Sequence, residues 1–234
     1  MNLLARQLLD DYNDLMDSLI TADLLIDANP LEVQEFEFVE DSGERIRKTD
    51  LTWAGASGLS YLMAEHASIE HYIEIVKRRD FNFCLYDGSL IQIHYQITND
   101  GVVKHRLCFV PCPFSYSKED QLGLGLSDIP ELMSESDMRR DIRLSSPIRF
   151  DFDAKFCDDK HSHSHVTMNQ STCRLPAYGP VSLAHFIRFI FRYFHEEQFE
   201  ASDWWQKFFP RVYTRTLANP FPHEFHLQSS IAAA

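Results

Sequence analysis

The stretch from Phe81 to Val110 constrains this chain most. Phe81–Tyr86, Leu90–Thr98 and Val102–Val110 are rich in β-branched and aromatic residues, and only Asp87-Gly88-Ser89 and Asn99-Asp100-Gly101 separate them. Such Asp-Gly and Asn-Asp-Gly segments reach the positive-φ conformations that tight hairpin turns demand. Connections this short can join only antiparallel neighbours, because a parallel crossover needs a dozen or more residues. The region therefore predicts an antiparallel meander, which is expected to resume with residues 147–153 and about 161–168, giving a sheet of about five strands.

Helical periodicity surrounds this sheet. Leu4, Leu8, Tyr12, Leu15 and Leu19 recur at helical spacing, predicting an amphipathic helix from residue 3 to about 26, interrupted near Thr21. Residues 33–39 alternate like a strand, with 45–53 as a returning partner across Asp41-Ser42-Gly43. A second helix is expected over 59–79, ending in the basic triplet Lys77, Arg78, Arg79 that suits a helix C-terminus. Pro180 opens a third over 181–197, whose phenylalanines make most of its faces apolar, a fourth is expected near Asp203–Phe208, and a further short one near Ile129–Arg139 within the irregular segment 111–147. The expected class is α+β: N-terminal helices, the antiparallel sheet, and a long aromatic C-terminal helix packed on it. The 234 residues, with 44% hydrophobic side chains and 18 phenylalanines, suffice for one globular domain over 1–234. Within it, 1–28 reads as a helical appendage and 215–234 as a flexible tail.

The chemistry concentrates in Asp151-Phe152-Asp153 and His161-Ser162-His163-Ser164-His165. Strand alternation puts Ile148, Phe150 and Phe152 toward the core and Arg149, Asp151 and Asp153 on the other face. His161, His163 and His165 likewise share a face, spaced roughly 6.6 Å apart in successive pairs. An antiparallel return through 154–160 would set Asp151 opposite His163 and Asp153 opposite His161. Asp151, His161 and His163 are then the candidate ligands of a divalent metal ion, since such ions take imidazole nitrogen and carboxylate oxygen. In that mechanism Asp153 also helps hold the ion, which activates water, another histidine protonates the leaving oxygen and Arg174 offsets phosphate charge; without a metal, two of the imidazoles serve as acid and base, because imidazole titrates near neutrality. The competing reading of the same residues is a cross-strand ion pair on a solvated sheet face.

Other motifs carry less. Cys84, Cys108, Cys112, Cys157 and Cys173 are odd in number and lack CxxC spacing, which reads as reduced thiols and a cytoplasmic setting. His105, Cys108 and Cys112 lack a fourth zinc ligand, and Leu122-Gly123-Leu124-Gly125-Leu126 lacks phosphate-loop spacing. His223, Glu224 and His226 sit near the end. No run reaches the length of a membrane helix. The net charge of −13 repels nucleic-acid backbones, so an RNA or DNA substrate needs a local basic patch. Candidates are Lys77 to Arg79, Lys104 to Arg106, and Arg139, Arg140 and Arg143.

From Ile148 to Phe194 the succession IRFDFD, HSHSHVTMNQSTCRLPAYGP and a Phe-rich helix resembles an uncharacterised bacterial domain-of-unknown-function family, DUF2290. The resemblance implies a prokaryotic cytoplasmic protein of the kind carried by mobile or defence gene clusters, and it brings no catalytic residues. The Asp87-Gly88-Ser89 hairpin with the later histidines is also similar to small bacterial toxins of toxin–antitoxin modules. Two functions are therefore expected. One is a phosphodiester hydrolase, a nuclease of a toxin or antiviral defence system, using Asp151, Asp153, His161, His163, His165 and Arg174. The other is a noncatalytic subunit that binds a protein partner within a multi-gene system.

Overall fold

The structure is a computed structural model, and it describes residues 1–39, 43, 45–54, 68–114, 146–158, 162–168, 172–208, 216 and 227. Helix α1 (Leu3–Thr21) begins where the Asn2 side chain accepts the Leu4 N–H at 2.7 Å, satisfying one of the amide donors a helix start leaves open. It ends at Ala22, and Asp23 takes a left-handed φ of 57°. The chain then enters strand β1 (Leu25–Ala28), so the helix expected to reach about residue 26 stops a turn earlier. Strands β2 (Leu31–Val39) and β3 (Arg45–Trp53) pair along all nine residues. Helix α2 (Ile69–Arg78) is capped by Ser68. The first part of the helix expected over 59–79, the helix expected within 111–147 and the Leu122–Leu126 segment lie outside the described residues.

The meander comes next: β4 (Phe83–Leu85), β5 (Leu90–Thr98) and β6 (Gly101–Val110). It continues through β7 (Ile148–Asp153), β8 (Ser164–Met168) and β9 (Arg174–Pro176). All pairs are antiparallel, and the described strands form one nine-stranded sheet of order β1-β4-β5-β6-β7-β8-β9, with β3 also pairing β5 and carrying β2. The five expected strands are its middle. The additions are β1, the proline-containing β9 and the β2–β3 pair, which joins through Thr49–Leu51 against Tyr95–Ile97. Along one edge of β5, therefore, β4 and β3 lie end to end.

Helix α3 (Leu183–Phe194) follows, then the short α4 (Glu196–Glu200) and a 3-10 turn at Trp204–Lys207, where a fourth helix was expected. The two faces of the sheet differ. On one, Leu51, Ile93, Tyr95, Leu107 and Phe109 pack beneath Phe186, Ile187 and Ile190 of α3 and Leu8, Tyr12, Leu15 and Leu19 of α1. Each such side chain contributes about 1.5–3 kcal/mol on burial, so α1 is part of the core. The opposite face is apolar where α2 sets Tyr72 and Ile75 against Leu90, Cys108 and Val110, and along β6, β7 and β8 it carries charged and polar side chains.

Candidate functional site

Strand alternation builds the polar face in rows that run across the sheet. One row is His94, Arg106, Asp151 and His165, on β5, β6, β7 and β8. The next toward the turn end is Gln96, Lys104 and Asp153, with His163 following because the Asp153 N–H donates to the His163 carbonyl at 2.8 Å. A third is Cys108, Arg149, Thr167 and Arg174. Asp151, Asp153, His163, His165 and Arg174 are thus gathered on one face, and His161 lies outside the described residues. The register differs from the expected one by two residues: Asp151 faces His165 rather than His163, and Asp153 faces His163 rather than His161. A shift of two leaves every side chain on its expected face. His105 and Cys108, in contrast, point to opposite faces of β6 and do not meet as zinc ligands.

Asp151 is the hub, at 7% exposure. Its Oδ2 accepts from Arg149 Nε, lies 3.4 Å from His165 Nε2 and 3.5 Å from the Thr167 hydroxyl, while Oδ1 accepts from Arg106 Nε at 3.2 Å. Burial pushes such a carboxyl up, but the His165 hydrogen bond and the charges of Arg149, His165 and Arg106 outweigh it and hold Asp151 well below the usual carboxylate range. His165 is itself buried, with Nδ1 3.3 Å from the Ser162 carbonyl. Both its ring nitrogens face acceptor oxygens. At the other end of the row, on β5 and next to Arg106, burial and then the charges of Arg106, Lys104 and Lys48 push His94 down to about 3, so this imidazole is neutral.

His163 differs. It is half-buried, and its Nδ1 lies 3.1 Å from the Asp153 carbonyl oxygen, which can only accept. The Nδ1 therefore carries the proton, and Nε2 holds the basic lone pair of the neutral ring. Asp153 is engaged at both oxygens, by Lys104 Nζ at 2.9 Å and by the Lys155 N–H at 3.0 Å. Arg174 stands exposed at the outer end of its row.

A metal ion would have to approach Asp151 past two guanidinium groups that already occupy its oxygens. Among the described residues, no group of three or more His, Cys, Asp or Glu side chains is arranged to hold one. His223, Glu224 and His226 fall outside those residues, as do Arg139, Arg140 and Arg143. The sequence pattern did not single out His94 and Thr167. The signal for both was the alternation of polar residues along β5 and β8.

An α+β protein with helices over one sheet face and a charged cross-strand network on the other is the class this architecture defines. More particularly, the chain belongs to the family described as uncharacterized conserved protein (DUF2290), whose family model matches residues 31–232. No curated protein and no solved structure matches the chain significantly. Among the described residues no helix is long and apolar enough to cross a membrane.

Proposed function

We propose that the polar face binds and cleaves a phosphodiester without a metal, as the nuclease of a bacterial toxin or antiviral defence system. The tautomer of His163 carries this reading, because it leaves Nε2 as a base on the same face as Arg174, Lys104, Arg106 and Arg149. In the reaction, Nε2 takes the proton of the attacking oxygen, and the leaving oxygen takes one from water. Arg174 and Lys104 offset the phosphate charge in an otherwise acidic molecule. The Asp151–His165–Arg149–Arg106 network holds the cationic side chains in place and does not touch the substrate. Cytoplasmic residence accompanies the proposal, supported by five free cysteines.

The test is cleavage of labelled RNA and DNA oligonucleotides in the presence of a chelator. Wild-type protein is expected to cut one of them, and His163→Gln to lose about 10²–10⁴-fold, the range for a positioned acid–base group. Absence of cleavage of either polymer, or equal rates for both proteins, would overturn the reading. A second reading, a noncatalytic subunit for a protein partner, is favoured by the satisfied Asp151 network and by β2, which pairs only with β3 among the described strands and leaves Phe36 47% and Val39 62% exposed. It expects β2 variants, and not His163→Gln, to abolish biological activity.

A further inference from the structure

Behind the sheet, on the side away from the polar face, a cleft of about 300 Å³ opens between α1, the first turns of α3 and the 3-10 turn. This volume is at the small end of the range for ligand cavities, roughly 300–1,000 Å³. Its walls differ in sign. Asp11 and Asp14 come from α1, while Arg188 of α3 and Lys207 of the 3-10 turn bring positive charge from across the opening. Between them the floor is apolar, built from Leu15, Ile187 and Trp204.

Two further features sharpen the positive side. The Arg188 guanidinium lies over the Trp205 ring, 4.9 Å from its centroid, and Phe199 stacks on the same side chain with ring centroids 4.6 Å apart. The guanidinium is therefore held in place before any ligand arrives. Leu183 and Ala184, which also line the cleft, are the first residues of the twelve-residue α3, and the N-terminal turn of a helix favours negative charge. On the acidic side Asp14 is exposed and, like Lys207, enters no ion pair among the described residues. Asp14 and Lys207, opposite in charge and on separate elements around the apolar floor, each lack a counter-ion among the described residues, and one small molecule bearing both charges supplies them together.

We infer that this cleft binds a small zwitterion with an apolar body, in the chemical class of free amino acids such as phenylalanine or leucine. The carboxylate lies against Arg188, Lys207 and the α3 amides, the ammonium against Asp14, and the side chain on Leu15, Ile187 and Trp204. Because the ligand bridges α1, α3 and the 3-10 turn, binding tightens the helical layer, and the site is independent of the phosphodiester reading.

Trp204 and Trp205 account for two of the three tryptophans, so intrinsic fluorescence reports occupancy. The full-length protein is titrated with L-phenylalanine and L-leucine, by fluorescence quenching for leucine and by thermal shift for both. Saturable binding is expected, with a rise in melting temperature. N-acetyl-phenylalanine, which lacks the ammonium, and phenylalanine methyl ester, which lacks the carboxylate, are each expected to bind at least about tenfold more weakly, the effect of losing roughly 1.4 kcal/mol. Asp14→Asn, at an exposed helix position that the fold does not need, should weaken the amino acids and leave the N-acetyl form unchanged. No saturable response up to about 10 mM, where a millimolar site would show, overturns the inference. So does equal binding of the blocked forms, which would make the cleft an unspecific apolar hollow.

Discussion

His105 illustrates how one residue ties the sheet to its helical cover. It is buried against Tyr95 and Phe152, and its Nε2 accepts the Val181 N–H at 2.8 Å, just ahead of α3. Burial pushes the imidazole down to about 4, so it is neutral in the native state while the unfolded ring titrates near 6.5. A group lowered in this way contributes stability that is complete above about pH 6.5 and is lost as the pH falls toward 4. Urea unfolding at pH 7, 6, 5 and 4.5 is expected to show decreasing midpoints, and His105→Asn, which has no proton to gain, should make that decline shallower, His94 supplying the remainder. Asp151 has the opposite vulnerability. Replacing it by Ala leaves Arg149, at 6% exposure, without its counter-charge, and losing one partner of a buried pair costs about 3–5 kcal/mol. A large drop in the melting temperature of Asp151→Ala is expected, and an unchanged melting curve would show the network to be dispensable. Loss of activity in that variant therefore says nothing of catalysis, whereas His163→Gln removes one backbone contact only.

At the scale of elements, faces were legible and registers were not. The alternation in Pro147–Asp153 put Asp151 and Asp153 on the polar side, where the structure has them, because a strand's period of two is a local property. Which histidine each aspartate meets depends on how many residues the β7–β8 connection consumes, and composition does not encode that number. The same limit explains the missing strands. Nothing local in Arg45–Trp53 says that Leu51 will pair with Tyr95, forty-four positions on, and β9 carries a proline that argues against a strand. The interruption expected near Thr21 falls where α1 ends, and the left-handed Asp23 keeps the helix from resuming toward residue 26. Helix starts followed local rules: Asn2, Ser68 and Ser182 each accept an N–H from the first turn. Ser182 is 2% exposed, and its hydroxyl also meets His185 Nδ1 at 3.0 Å. Ser182→Ala is expected to cost about 1 kcal/mol in urea denaturation, the usual value of an N-cap, whereas Ser182→Asp should retain most of it.

For the molecule as a whole, the region shared with the family begins at residue 31, but the hydrophobic core does not. Ala5, Leu8, Tyr12, Leu15 and Leu19 are at most 2% exposed, and the Tyr12 ring stacks on Phe83 at 4.9 Å between centroids. β1 also completes the far edge of the sheet against β4. A chain begun at residue 31 would uncover the face of Phe83, Ile93 and Leu107 that α1 protects. It is expected to be insoluble or to bind a hydrophobic dye, while the full chain melts cooperatively. A soluble, cooperatively melting truncation would show that α1 is dispensable to the core.

The sharing of one edge of β5 between β4 and β3 also bears on the order of events during folding. The β5–β6 hairpin closes through the short Asn99-Asp100 turn, the smallest loop entropy in the sheet, and every remaining strand attaches directly or indirectly to its two sides. Neither the β2–β3 arm nor the β1–β4 arm has a template until that hairpin exists. Stopped-flow measurements should therefore find that Ile93→Val slows refolding by nearly its whole equilibrium effect, whereas Val33→Ala, out on the β2–β3 arm, leaves refolding unchanged and hastens unfolding. The fork makes β5 a kinetic gate: two arms wait on the same nine residues.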